Sequence, residues 1–416
     1  MPDRSRLALA AAMVAVLIAL GGLTYVWLSA QRPGSGAQGS AKVELAALRT
    51  GLAWPIALAF AADGRVFYAE RYTGNVRILG NATAPATTFF AIPEVAGSGE
   101  QGLLGLALDP GFPRNPYVYA YYTRDDHANS SVYNRIVRIL ASGSVGTGME
   151  VLRDHLAANT FHNSGVVAFG PDGKLYALVG DAENSASAQD RSSPSGKVLR
   201  LNPNGTVASD NPFVGSADAD PDVYTYGHRN MFGIAWHPTT HRGYVTENGP
   251  QDSDEINLLV PGGNYGWPNV RGLAQTAPYL DPIIAYTPVI VPTNAAFYTA
   301  PVPDASRNHL IVGSFKDHRL HELTLNPTDG ASVVNETILA TAPDGILDVE
   351  MGPDGFLWVT TSSAIYRLVP MPVVTGPYGL PIPFGWIGMT GLTWAPRLDL
   401  TRGPREETDR TPPRKP

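Results

Sequence analysis

Between Asp222 and Asn269 the chain concentrates side-chain types that bind anions and hard cations. The run holds His228-Arg229-Asn230, the turn Gly249-Pro250, the acids Glu247, Asp252, Asp254 and Glu255, and the aromatic stretch Gly263-Asn264-Tyr265-Gly266-Trp267-Pro268. An arginine beside a carboxamide suits a carboxylate or a quinone-type oxygen and stabilises negative charge developing on it. Calcium takes about six to eight oxygen ligands, backbone carbonyls included, and a Gly-Pro turn can aim two carbonyls the same way. Asp254 and Glu255 add carboxylates to that set. The spacing is not that of an EF-hand, because no D-x-D-x-D-G loop is present.

Three further groups stand just ahead of, or just after, strand-like segments. His162, in Thr160-Phe161-His162-Asn163-Ser164-Gly165, precedes Val166-Val167-Ala168-Phe169. Its imidazole titrates near neutrality and suits a general base, worth about 10²–10⁴ in rate. Gln101 sits in Glu100-Gln101-Gly102-Leu103-Leu104-Gly105, and Lys316 in Gly313-Ser314-Phe315-Lys316. Taken singly, each motif is also what a surface turn or a solvated acidic loop carries. Recurrence at similar corners of successive repeats sets them apart.

The elements that must position these groups are short strands. From about Val43 to Leu368 one phrase recurs, a turn followed by an apolar, aromatic strand. Its clearest copies are Ala62-Asp63-Gly64-Arg65-Val66-Phe67-Tyr68, Pro171-Asp172-Gly173-Lys174-Leu175-Tyr176 and Pro353-Asp354-Gly355-Phe356-Leu357-Trp358. Weaker ones are Asn115-Pro116-Tyr117-Val118-Tyr119, Thr240-His241-Arg242-Gly243-Tyr244-Val245 and Arg307-Asn308-His309-Leu310-Ile311-Val312. Six copies at roughly 54 residues each match units of four short strands plus loops. Asp-Gly before an alternating strand is hairpin-turn chemistry. The spacing predicts an all-β fold, a six-bladed β-propeller, over residues 43–369. Propellers carry functional groups on loops at one end of a central channel, so the candidates should converge there.

Composition closes off other classes. The 416 residues include 43 Gly and 36 Pro with 16% charged, a bias toward turns and strands rather than helical bundles. A net charge of -7 and the lack of a basic stripe exclude a general nucleic-acid binder. With no cysteine, disulfides, thiolate metal sites and cysteine nucleophiles are all removed.

The ends of the chain carry their own signals. Leu7–Ala30 runs 24 residues without a charge behind Arg4 and Arg6, long enough at ~1.5 Å per residue to cross a ~30 Å hydrocarbon core. That length favours an uncleaved N-terminal transmembrane anchor, residues 1–30, over the shorter apolar region of a signal peptide. The arginines hold the N-terminus in the cytoplasm and place the remainder in the periplasm or extracellular space. Residues 31–42 form a Gly/Ser-rich linker, whose GxGxxG spacing lacks the strand and helix of a dinucleotide site. Residues 370–416 are a Pro/Gly-rich arm and a polar tail. The uncharged Leu368–Pro396 holds six Pro and five Gly, which disqualify it as a lipid-exposed helix.

Taken in order, Gly102-Leu103-Leu104-Gly105, His162-Asn163-Ser164-Gly165, Gly227-His228-Arg229-Asn230, Gly249-Pro250, Asp254-Glu255-Ile256-Asn257 and Gly263–Pro268 resemble the soluble glucose/sorbosone (aldose sugar) dehydrogenase family, which uses pyrroloquinoline quinone (PQQ). The resemblance spans about Leu45 to Leu368. It implies PQQ- and calcium-dependent oxidation of an aldose sugar at C1 to the lactone, hydride passing to the quinone and then to an electron acceptor the sequence does not name. By the same resemblance His162 takes the anomeric hydroxyl proton, Arg229 polarises the quinone carbonyl, and Asn230 and Lys316 grip PQQ. Carbonyls of Gly249 and Pro250 hold calcium, and Gln101 touches the sugar. Calcium and Arg229 both draw electrons from the quinone.

Two departures stand out. The family's Arg-x-Arg-Asp-Val run, which clamps PQQ carboxylates, reads Gly345-Ile346-Leu347-Asp348-Val349 here, and its Pro-Gln after Arg-Asn is Met231-Phe232. Each lost charge-assisted bond is worth about 1.5–3 kcal/mol. One rival reading is a non-catalytic propeller of the same family, binding a glycan or protein at the outer cell surface. Another is a calcium-dependent lactone hydrolase, which expects carboxylates converging from several segments; the acids here cluster in one.

Overall fold

The computed structural model of the protein describes residues 42–79, 86–301 and 303–371. The expected anchor, most of its linker and nearly all of the C-terminal arm lie outside the described residues. Among the described residues no helix is long and apolar enough to cross a membrane.

Among the described residues twenty-four strands form six four-stranded antiparallel sheets, as the repeat spacing predicts. Five sheets are built from consecutive strands. The sixth adds Val43–Thr50 to the outer edge of Ile346–Met351, Leu357–Thr361 and Ala364–Pro370, pairing Val43 with Pro370 and Thr50 with Ala364. That exchange closes the ring, and periodicity alone does not reveal it. The first strands of the six sheets are Pro55–Phe60, Leu103–Leu108, Ser164–Phe169, Met231–Trp236, Pro292–Phe297 and Ile346–Met351. Each touches the first strands of both neighbouring blades, so the six surround the axis.

All six copies of the repeated phrase fall at one corner, the hairpin from first to second strand. In the three Asp-Gly copies the carboxylate accepts the N–H two residues on, from Arg65, Lys174 and Phe356 at 3.3, 3.1 and 3.2 Å. This local closure makes the turn a property of its own four residues. Between blades, alternate side chains of facing sheets interleave. Phe67, Phe89, Leu103, Val118 and Tyr122 fill one such layer, and Tyr121, Leu175, Val179 and Leu199 the next. Each fully buried side chain of this kind contributes about 1.5–3 kcal/mol.

Inner strands of neighbouring blades approach closely. A Cβ on Gly105 would lie 2.2 Å from the Gly165 carbonyl oxygen, which is backbone and cannot swing away. Gly105→Val therefore forces two blades apart and costs about 1–3 kcal/mol, read as a lower midpoint in urea unfolding with unchanged slope.

The end opposite the Asp-Gly turns is irregular by construction. Every inner strand shifts register within its first residues, as between Pro55 and Ala57 or Ile346 and Asp348. Such bulges re-aim side chains. Trp54, His162 and Val291, leading into three of these strands, adopt left-handed backbone at φ 52°, 59° and 58°. Packing must impose that conformation on bulky residues, and such strain concentrates at functional sites.

Candidate functional site

His162 is held from both sides. Its Nδ1 lies 2.7 Å from Asp181 Oδ1, and its backbone N–H donates to Glu100 Oε2 at 2.7 Å. Asp181 follows the strand Leu175–Val179 and is 1% exposed. Its other oxygen accepts from the Trp267 indole N–H at 2.8 Å. A carboxylate can only accept, so Nδ1 carries the hydrogen and Nε2 the lone pair. Among the described residues no protein group bonds Nε2. Gly180 permits the turn, because a Cβ there would meet the His162 carbonyl oxygen at 2.0 Å.

Arg229 is joined to Asp181 through the backbone. Asp181 donates its backbone N–H to the Arg229 carbonyl at 2.9 Å, and the guanidinium lies over the Trp267 ring at 5.4 Å. Nη1 donates to the carbonyls of Asn248 and Gly249 at 2.9 and 3.0 Å. Among the described residues the buried Arg229 Nε has no hydrogen-bond partner. Burial lowers the pKa of Arg229, while the charges of Asp181, Glu247 and Glu100 oppose that shift.

The structure thus brings His162, Arg229 and Gly249 together through Asp181 and Trp267. It does so with two groups that the motifs did not single out for chemistry, Asp181 and Glu100. A signal for Asp181 existed: Glu70, Asp181 and Glu247 all stand at or just past the end of a blade's second strand. Gln101 is bonded within its own loops. Its side chain accepts from the Ser98 N–H and donates to the Asn159 carbonyl, at 3.1 and 3.2 Å, and is buried. Glu100, one residue earlier, turns toward the axis instead.

Asn230 is buried and largely committed. It donates to Glu100 Oε2 at 3.0 Å and accepts from the Ser164 N–H at 3.2 Å, clasping three blades. His228 is a core residue, between Glu247 and Thr225 at 2.7 and 2.9 Å and stacked on Tyr265. Lys316 is exposed, anchored through its backbone N–H to the Ile290 carbonyl.

The acidic corner divides. Asp254 and Glu255 are neighbours on one strand and project to opposite faces. Asp254 accepts backbone N–H groups of Gly249, Ile290 and Val291 at 2.8, 2.7 and 2.7 Å. Glu255 accepts the Gly272 N–H at 2.6 Å. Their carboxylates point apart, and among the described residues no three His, Cys, Asp or Glu side chains are grouped to hold a metal ion.

Burial, with Glu247 nearby, pushes Glu255 up to about 8 from 4.5. The folded protein therefore keeps a proton that the unfolded chain has released, and stability falls as pH rises from about 4.5 to about 8. Glu255→Gln removes that slope; its melting temperature exceeds the parent's at pH 8, and the gap closes near pH 4.

Beneath the entry loops an axial cavity of about 220 Å³ is walled by inner strands of all six blades. Its lining is mainly apolar, with Trp54, Leu104, Phe232, Val291, Phe315 and Leu347 prominent. Glu100 and Arg71 stand at its rim, and Asp348 and Glu350 on its wall.

The glucose/sorbosone dehydrogenase family model matches residues 52–369. The chain belongs to this family. It is 28% identical to aldose sugar dehydrogenase YliI of Escherichia coli, over 79% of this chain and 92% of that protein. It superposes on the crystal structure of a Thermus thermophilus protein put forward as an oxidoreductase (glucose dehydrogenase) with a TM-score of 0.73 at 38% identity, covering 79% of this chain and 100% of the other. The PQQ-bound form of an aldose sugar dehydrogenase from Streptomyces coelicolor gives 0.67 at 29% identity, covering 79% and 98%. The resemblance read from the motifs is therefore borne out for family and blade count.

Proposed function

We propose that this chain oxidises an aldose sugar at C1 to the lactone, with His162 as the base. The observation that carries this reading is the His162–Asp181 pair at 2.7 Å, which fixes the imidazole and frees Nε2. In the reaction C1 loses hydride and its hydroxyl loses a proton. Nε2 takes the proton, and Asp181 stabilises the imidazolium that results. The hydride leaves with both electrons to an oxidant, a quinone. Arg229 is linked to the base through Trp267 and Asp181, and its guanidinium is a positive charge near the site, suited to stabilise negative charge developing on the oxidant.

PQQ with calcium is the family's pairing, so the residues present must be tested against it. PQQ is a tricarboxylate. The axial wall offers it Leu347, Phe315 and Phe232, and the acids Glu100, Asp348 and Glu350. Its one lining cation, Arg71, spends its guanidinium on the carbonyls of Gln101 and Gly99, at 3.1 and 2.7 Å. Phe315 also fills the space at Gly345, where a Cβ would meet its ring at 2.5 Å. The Gly249 carbonyl, meant for calcium, already accepts from the Arg229 guanidinium, a positive charge that repels a second cation. These residues do not fit PQQ's carboxylates or its calcium.

An anchor formed by residues 1–30 would hold this propeller at the outer face of a membrane, where sugars arrive by diffusion. The functional test is lactone formation across a panel of aldoses with quinone acceptors. Sugar binding without turnover, the fold intact, supports the non-catalytic reading instead.

A further inference from the structure

We infer that the propeller stands with its Asp-Gly turn face against a lipid bilayer and the mouth that holds His162 open to the aqueous phase. The inference rests on the anchor proposed for residues 1–30 and goes beyond it, because an anchor alone leaves the orientation of the propeller open. The blades fix where the chain enters and leaves. Val43–Thr50 runs antiparallel to Ala364–Pro370, which runs in the same direction as the inner strand Ile346–Met351. Inner strands start at the mouth, where Trp54, His162 and Val291 lead into them, and end at the turn face. Lys42, Val43, Pro370 and Met371 therefore lie together at the turn face, with Val43 opposite Pro370 and the Met371 N–H donating to the Lys42 carbonyl at 2.7 Å. The other end of this outer strand reaches the mouth, where the N–H groups of Leu52 and Trp54 donate to the Ser363 and Ser362 carbonyls at 2.9 and 3.0 Å.

Two uncharged tracts of the sequence meet the propeller at that one corner. Leu7–Ala30 joins it through the linker of residues 31–42. A Gly/Ser-rich chain of these twelve residues has a root-mean-square span of about 17–21 Å. The eight residues of Val43–Thr50 cover about 26 Å at ~3.3 Å each. With the turn face toward lipid the linker keeps its relaxed length. With the mouth toward lipid it must be drawn along the whole outer strand, beyond that span, and the lipid surface would cover the entry to His162. The second tract, Leu368–Pro396, starts beside Lys42 and carries Tyr378, Trp386 and Trp394, aromatic types enriched where membrane meets water. Its prolines bar a spanning helix, whereas at the hydrated interface water can satisfy the backbone. The turn face itself exposes Arg114, Arg242 and Arg307 alongside Asp63, Asp172 and Asp354, so its approach to lipid does not depend on anionic headgroups. Sugar then reaches His162 directly from the aqueous phase.

The chain has no cysteine, so single-cysteine variants of the full-length protein each carry one fluorophore. Arg114→Cys and Thr240→Cys place it on the exposed turn face. Tyr72→Cys, beside Trp54, and Leu273→Cys, next to the Gly272 that bonds Glu255, place it on the exposed mouth side. Each protein is reconstituted into phosphatidylcholine vesicles with and without a spin label on the headgroup, which quenches nearby emission. Both turn positions are expected to lose emission to the labelled lipid and both mouth positions to keep it, whichever side of the vesicle the protein occupies. Quenching at the mouth positions, or equal quenching on the two faces, overturns the inference. A folded full-length protein that stays out of the vesicles overturns it too. Two positions on each face keep the comparison if one variant does not fold. Aldose oxidation by a protein quenched at its mouth sinks the orientation and leaves the sugar reaction standing; quenching at the turn face without any aldose oxidation does the reverse.

Discussion

His162→Asn lowers kcat for aldose oxidation by about 10²–10⁴, the usual worth of a positioned base, while thermal unfolding stays close to the parent. Asparagine is the informative replacement because His162 has φ 59°, and asparagine tolerates left-handed backbone better than most residues. The backbone N–H to Glu100 is then retained, and only the base is removed. Asp181→Asn is the companion. Its amide can present N–H to Nδ1, which favours the tautomer with hydrogen on Nε2 and blocks proton uptake there. A folded His162→Asn protein with undiminished turnover would mean that the proton goes elsewhere.

Arg229→Met lowers kcat by about 10²–10³, the usual cost of removing a donor aimed at developing negative charge. The KM for sugar should hold, because the guanidinium faces Trp267 and the Gly249 loop rather than an expected sugar hydroxyl. Arg229→Lys keeps the charge and loses the planar fork, so it recovers only part of the loss. Equal losses of kcat in both variants would assign the effect to fork geometry; full recovery in the lysine variant would assign it to charge alone. A kcat unchanged in Arg229→Met removes the arginine from the reaction.

The fold was readable because its signal is local and repeated. Asp63, Asp172 and Asp354 each close a turn with their own carboxylates, so in three blades the phrase marks its corner without help from distant residues. Ring closure by Val43–Thr50 was not readable in the same way, since pairing with Ala364–Pro370 joins opposite ends of the chain. The site divides similarly. His162 and Arg229 announce themselves by type and by place ahead of an inner strand.

Their supports are harder to see. Asp181 matters through a hydrogen bond to His162 across a loop, and Glu100 through His162 and Asn230 in other blades. Gln101 is tied to Ser98 and Asn159 within its own loops, while Glu100 reaches His162 and Asn230. Asp254 and Glu255 diverge by the alternation of neighbours along a strand, with Gly249 on one side and Gly272 on the other. The departure at Gly345 and Leu347 was visible in the sequence; its meaning required the wall that Phe315, Phe232 and Leu347 make together.

The most direct test of C1 oxidation by this propeller is single-turnover kinetics with an aldose carrying deuterium at C1 and a quinone acceptor. The account predicts lactone formed in step with acceptor reduction, a slower reaction with the deuterated sugar, and no reaction in His162→Asn. Sugar bound by the folded protein with the acceptor left unreduced would contradict it.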